Sequence, residues 1–68
     1  MNITHYVIEW NGSTWDLKFQ ERSGATILNS FTVGHGSILG LSVILKGLND
    51  SLGVGILLIR IAGTDYSA

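Results

Sequence analysis

Sixty-eight residues, no Cys, two His and a formal net charge of −1 describe one small domain, since chains divide into domains only far above this length. Below roughly 70–80 residues a single core rarely supplies more than about 3–5 kcal/mol; without Cys there are no disulfides or thiolate zinc sites, and 46% hydrophobic against 13% charged residues leaves self-association as the remaining staple. The basic residues Lys18, Arg22, Lys46 and Arg60 are scattered, which argues against nucleic acid as a partner, because phosphate affinity comes from clustered Lys and Arg.

From Ile3 to Trp10 the side chains alternate, with Tyr6, Ile8 and Trp10 on one face and His5, Val7 and Glu9 on the other. That period of two is a half-buried strand. Asn11-Gly12 suits a tight turn with positive φ, after which Trp15, Leu17 and Phe19 alternate with Asp16, Lys18 and Gln20. A two-residue loop would pair Ile8 with Trp15, and a four-residue loop would pair Trp10 with Trp15; both put the same side chains on the core face. Arg22-Ser23-Gly24 reads as a three-residue loop with Gly24 in the left-handed position. This pairs Phe19 with Ile27 and Trp15 with Phe31, and keeps Ile27, Phe31 and Val33 on the aromatic face. A two-residue loop is rejected here because it would bring Thr26, Leu28 and Ser30 to that face instead. The other face is mostly polar, with His5, Val7, Glu9, Asp16, Lys18, Gln20, Thr26, Leu28 and Ser30.

Gly34-His35-Gly36-Ser37 should break the third strand, with Ser37 as the N-cap of a helix. From Ile38 to about Leu52 the residues Ile38, Leu41, Ile44, Leu45, Leu48 and Leu52 form an apolar stripe at helical spacing, fit to cover the aromatic face of the sheet. Leu39 and Val43 lie nearly opposite that stripe, and Gly40 and Gly47 line one flank. An interior helix glycine costs about 1 kcal/mol against Ala, so a close neighbour is expected on that side. Gly53 is the expected residue just past the helix end. Ile56, Leu57, Leu58, Ile59 and Ile61 make a strand apolar on both faces, a pattern suited to a strand covered on both sides. The polar tail from Gly63 is expected to fray.

The expected fold is α+β: a four-stranded, mainly antiparallel sheet in the order β-β-β-α-β with one helix packed on one face. A last strand lying parallel to the first would form a sheet edge, and a long hydrophobic edge calls for a second chain. A homo-oligomer, dimer or higher, is therefore expected. It would use the last strand (Ile56, Leu58), the outer helix face (Leu39, Gly40, Val43, Gly47), or both.

For chemistry, the turn Gly34-His35-Gly36-Ser37 is the most suggestive stretch. Free N–H groups and the positive end of a helix dipole suit phosphate or carboxylate there, with Trp10 at the open end of the first hairpin. It lacks GxxxxGK[ST] and the GxGxxG spacing, and a plain capped turn is the commoner meaning of such a stretch. His35 and Ser37 as base and nucleophile would need an orienting acid, and the nearby candidates, Asp50 and Asp65, sit at the helix end and in the tail. Glu9 and Asp16 read as a charged face rather than as paired catalytic acids. Tyr6, Trp10, Trp15 and Phe19 are better used as core than as a stacking platform for bases, and His5 reads as a surface histidine. Val7 and Leu28 form at most a modest patch.

His5 and His35 have no ligand spacing around them, so no metal and no cofactor is expected. No apolar run approaches the roughly 20 residues of a membrane span, and no signal-peptide pattern is visible, so the expected location is cytoplasmic. The reading that follows is a non-enzymatic interaction protein that self-associates and binds a larger protein to block or adapt it, as a phage-type inhibitor does. The alternative is an oligomeric binder of an anionic small molecule, such as a nucleotide, at Gly34–Ser37.

Overall fold

The computed structural model describes residues 2–52 and 56–67. The elements run β1 (His5–Trp10), β2 (Trp15–Ser23), β3 (Thr26–Gly36), α1 (Ile38–Leu52), β4 (Ile56–Ile61) and β5 (Thr64–Ser67). They form an α+β fold with one helix against a mixed, five-stranded sheet in the order β3-β2-β1-β4-β5.

The first hairpin takes the longer of the two expected loops, pairing Trp10 with Trp15 and Ile8 with Leu17. The Asn11 side chain closes it: its carboxamide oxygen accepts from the N–H groups of Ser13 and Thr14, each at 2.9 Å. Asn has this affinity for its own downstream backbone.

The second hairpin departs from expectation. Its loop is Gly24-Ala25, with Ser23 opposite Thr26 and Phe19 opposite Phe31; Gly24 has φ 58°, the left-handed conformation assigned to it. An unbroken ladder from a two-residue loop would turn Leu28 and Ser30 to the core face. The sheet avoids this by a register shift between Glu21 and Arg22 that leaves Leu28 without a partner. One extra residue in one strand swaps faces for everything beyond it. A second shift, between Leu17 and Lys18, leaves Val33 unpaired and sets Gly34 opposite Leu17, His35 opposite Asp16 and Gly36 opposite Trp15. The strand is thus not broken at Gly34; it runs through Gly36.

Helix α1 begins and ends as the residue pattern indicates. Ser37 caps it, its hydroxyl accepting from the Gly40 N–H at 3.1 Å and its carbonyl from the Leu41 N–H at 3.0 Å. Leu41 and Leu45 pack with Tyr6, Ile8 and Leu17 as the buried core, bordered by Ile3, Trp15, Phe19, Ile38, Leu48 and Leu57. Tyr6 and Phe19 meet edge to face at 5.2 Å, a favourable aromatic geometry. The seam is narrower than the stripe: Ile44 and Leu52 stay exposed, as do Ile27, Phe31 and Val33 on β3. Gly53, expected past the helix end, lies outside the described residues.

β4 pairs parallel to β1, from His5 opposite Ile56 to Glu9 opposite Arg60. It is not an edge, and the tail is ordered: a turn at Ala62-Gly63 returns the chain as β5, with Arg60 opposite Asp65 and Ile59 opposite Tyr66. Both turn residues have positive φ, 49° and 80°, as the hairpin turn matching strand twist requires. A non-glycine residue at the first of these positions hid the turn from the sequence.

The sheet face away from the helix is polar yet largely closed. Val7 there is fully buried between Lys18 and Leu58 on the adjoining strands, so it offers no patch for a partner. Arg22 on β2 donates to Asp65 on β5 at 2.6 Å although β1 and β4 lie between them. In a flat sheet three strand spacings, about 14 Å, would part them even before the offset along the strands is counted. Asp65 stands in the row of Arg60, Glu9 and Asp16, and Arg22 lies six residues along β2 from Asp16; the pair meets because the sheet twists and curls, making this face concave. The chain of contacts continues from Asp65 to Arg60 at 3.0 Å, from Arg60 to Glu9 at 3.7 Å and from Glu9 to Lys18 at 2.6 Å.

Candidate functional site

The structure separates the residues expected to bind an anion. Trp10, Trp15 and Gly36 occupy one row across β1, β2 and β3, and Glu9, Asp16 and His35 occupy the next row. Successive residues of a strand point to opposite faces, so Trp10 belongs to the helix side and His35 to the concave side. They do not converge. Trp10 packs against Trp15, with ring centroids 5.2 Å apart.

The Val33 bulge re-aims His35, as bulges do, and sets it on an acid. His35 Nδ1 lies 2.6 Å from Asp16 Oδ1, and the same oxygen accepts from Asn11 Nδ2 at 2.9 Å. The His35 hydrogen bond above all holds the Asp16 carboxyl below the usual carboxylate range; partial burial opposes it, and Asn11 and the charge on Lys18 add to it. Asp16 is thus the orienting acid that the sequence placed nowhere near His35. Its only signal was cross-strand register, which the bulges obscured. With Nδ1 occupied, Nε2 has no hydrogen-bond partner among the described residues, on a side chain that is 64% exposed.

An acid holding a histidine is half of a proton-transfer arrangement. Among the described residues no hydroxyl is bonded to His35. The Ser37 hydroxyl caps Gly40, and the Thr14 hydroxyl donates to the Gly36 carbonyl at 3.2 Å. No group of three or more His, Asp or Glu side chains that could hold a metal ion is present among the described residues, and no pocket opens among them. His5 is not a free surface histidine: burial, then the nearby Arg22 charge, lower its pKa, while Asp65 works in the other direction.

The residues expected at an interface are spread over two regions. On α1, Leu39 is 75% and Val43 68% exposed, with Gly40 and Gly47 exposed beside them. A Cβ at Gly47 would touch nothing, whereas one at Gly40 would come within 3.1 Å of the Ser37 hydroxyl. Gly40 therefore has a reason inside the chain, in the cap, and Gly47 has none. On β4, Ile56 is exposed and Leu58 half-buried. Sequence reasoning missed the exposure of Ile27, Phe31 and Val33 on β3, which it assigned to the core, and found that of Leu28, which it placed on the outer face. No helix among the described residues is long and apolar enough to cross a membrane. No family model matches the chain, and no curated protein or solved structure matches it.

Proposed function

We propose that the protein is a small non-enzymatic interaction protein that self-associates and binds a larger protein partner to block or adapt it. The observation that carries this reading is the bare outer face of α1. Full burial of a Leu or Val side chain is worth about 1.5–3 kcal/mol, and Leu39 and Val43 forgo that within the monomer. Gly47 adds a mid-helix site with open space around it, which suits close approach by another backbone. Apolar groups clustered on a small surface mark interaction sites more often than those scattered singly.

The test is Leu39→Lys with Val43→Lys, read by affinity capture and native mass spectrometry. The expected outcome is a folded protein with an unchanged circular dichroism spectrum that has lost its captured partner. Undiminished capture of the same partner would show that this face is not used.

A second reading keeps one specific observation in its favour. His35, anchored through Nδ1, presents Nε2 outward beside the start of α1, an arrangement able to donate to an anionic small molecule such as a nucleotide. Against it, Asp16 sets a carboxylate on the same ring and Ser37 already satisfies one of the helix N–H groups. This reading expects calorimetric binding of ATP that His35→Ala abolishes. The interaction reading expects no heat with either protein.

A further inference from the structure

We infer that the self-association proposed above runs through β3, as an antiparallel pairing of β3 with β3 of a second copy that joins the two sheets into one. β3 is the edge of the sheet beside β2, and it is eleven residues long. The other edge, β5, has four residues and carries Asp65, engaged with Arg22 and Arg60. Natural edges are protected by being short, by bulges, or by Lys, Pro or inward charge; β5 is short and charged, whereas β3 is long and uncharged, and its two bulges leave the run Asn29–Thr32 regular between them. The nine charged residues of the chain, four Lys or Arg and five Asp or Glu, all lie outside TILNSFTVGHG.

The lack of charge is what selects a second copy as the occupant. In a two-fold pairing the residue on the axis meets its own copy, so a Lys or Glu at or beside the axis would crowd a like charge. A strand without charges pairs with itself at no such cost. A partner selected by charge would have nothing to read. The two-fold axis perpendicular to the sheet keeps both helices on one side, and residues facing each other must then share a face. The register shifts leave a regular stretch at Asn29–Thr32, and an axis through Phe31 sets the two Phe31 rings side by side. Phe31 pairs with core-facing Phe19 yet is 57% exposed; in the joined sheet it sits between the two helices. Cross-strand aromatic pairs add their attraction to that of the main-chain hydrogen bonds.

The inference rests on the self-association reading, and one experiment separates the two. Native mass spectrometry and light scattering on the full chain at 100 µM would compare wild type, Phe31→Lys, Asn29→Lys, and the Leu39→Lys/Val43→Lys pair. Asn29 lies in the regular stretch and donates to Glu21 at 2.8 Å, a partner that Lys can keep, so its replacement decides the question should Phe31→Lys unfold. Expected are a closed dimer for the wild type, twice the 7.3 kDa chain mass, at least a tenfold weaker dimer for each β3 variant with its circular dichroism retained, and an undisturbed dimer for the helix variant. Dimers persisting in both β3 variants while the helix variant dissociates would overturn the β3 assignment and leave self-association standing. Dissociation by both sets would overturn a dimer held through β3 alone. A monomeric wild type would overturn self-association altogether.

Discussion

At Ala62 the backbone adopts a conformation that its side chain does not favour. With φ 49°, a residue bearing a Cβ pays roughly 1–2 kcal/mol for the left-handed region, whereas Asn visits it readily through local hydrogen bonding. The neighbour Gly63, at φ 80°, already suits the second turn position, so Ala62→Asn creates the Asn-Gly pair that two-residue hairpins prefer. The expected outcome is a gain of about 0.5–1 kcal/mol in urea unfolding with no change in oligomeric state. A loss of stability would mean that the Ala62 methyl makes a contact worth more than the strain. The same residue hides the last strand: Asn11-Gly12 announces its turn through composition, while Ala62-Gly63 announces nothing, so the polar sequence from Gly63 points to a fraying tail where β5 stands.

Elements built on a single local rule were legible and elements that needed two were not. The helix bounds, the Ser37 cap and the core residues Tyr6, Ile8, Leu17, Leu41 and Leu45 follow from period and capping chemistry alone. β3 required a turn type and two bulges at once. Alternation along the strand reports which face a residue takes only while the ladder is regular, and Leu28 and Val33 each interrupt it. The candidate site shared that fate, because the Asp16–His35 contact exists only in the bulged register. The exposure of Leu39 and Val43 on α1 was legible for the opposite reason: a helix period needs no partner strand to be read. The misassignment of Ile27, Phe31 and Val33 to the core had a further cause, since one helix of fifteen residues covers the middle of a five-stranded sheet and not its edge.

At the scale of the whole molecule, the curl of the sheet turns scattered charges into one network and makes stability depend on pH. The Arg22 side chain is only 4% exposed and holds Asp65 and Gln20. Asp65→Asn would strand that buried charge. Breaking a fully buried pair costs about 3–5 kcal/mol; Asp65 keeps some contact with water, so about 1–3 kcal/mol is expected. The titrations follow in sign. The hydrogen bond from Arg22 chiefly, then its charge and those from Arg60, hold the Asp65 carboxyl below its ordinary value against an opposing effect of burial. Its stabilisation is therefore present above the unfolded value of about 3.9 and is lost as pH falls through that value and below. His5 is depressed as well, by burial first and then by Arg22, with Asp65 opposing. Its neutral form is the one the fold prefers, so its contribution is complete above about 6.5 and declines as pH falls below that. Urea midpoints measured from pH 8 to pH 3 should thus fall in two stages. His5→Gln should erase the upper stage and spare the lower. Asp65→Asn should weaken the lower stage and deepen the upper, because removing the carboxylate leaves the Arg22 charge to act on His5 unopposed. An upper stage that persists in His5→Gln would place the titrating group elsewhere and break the link between His5, Arg22 and the last strand.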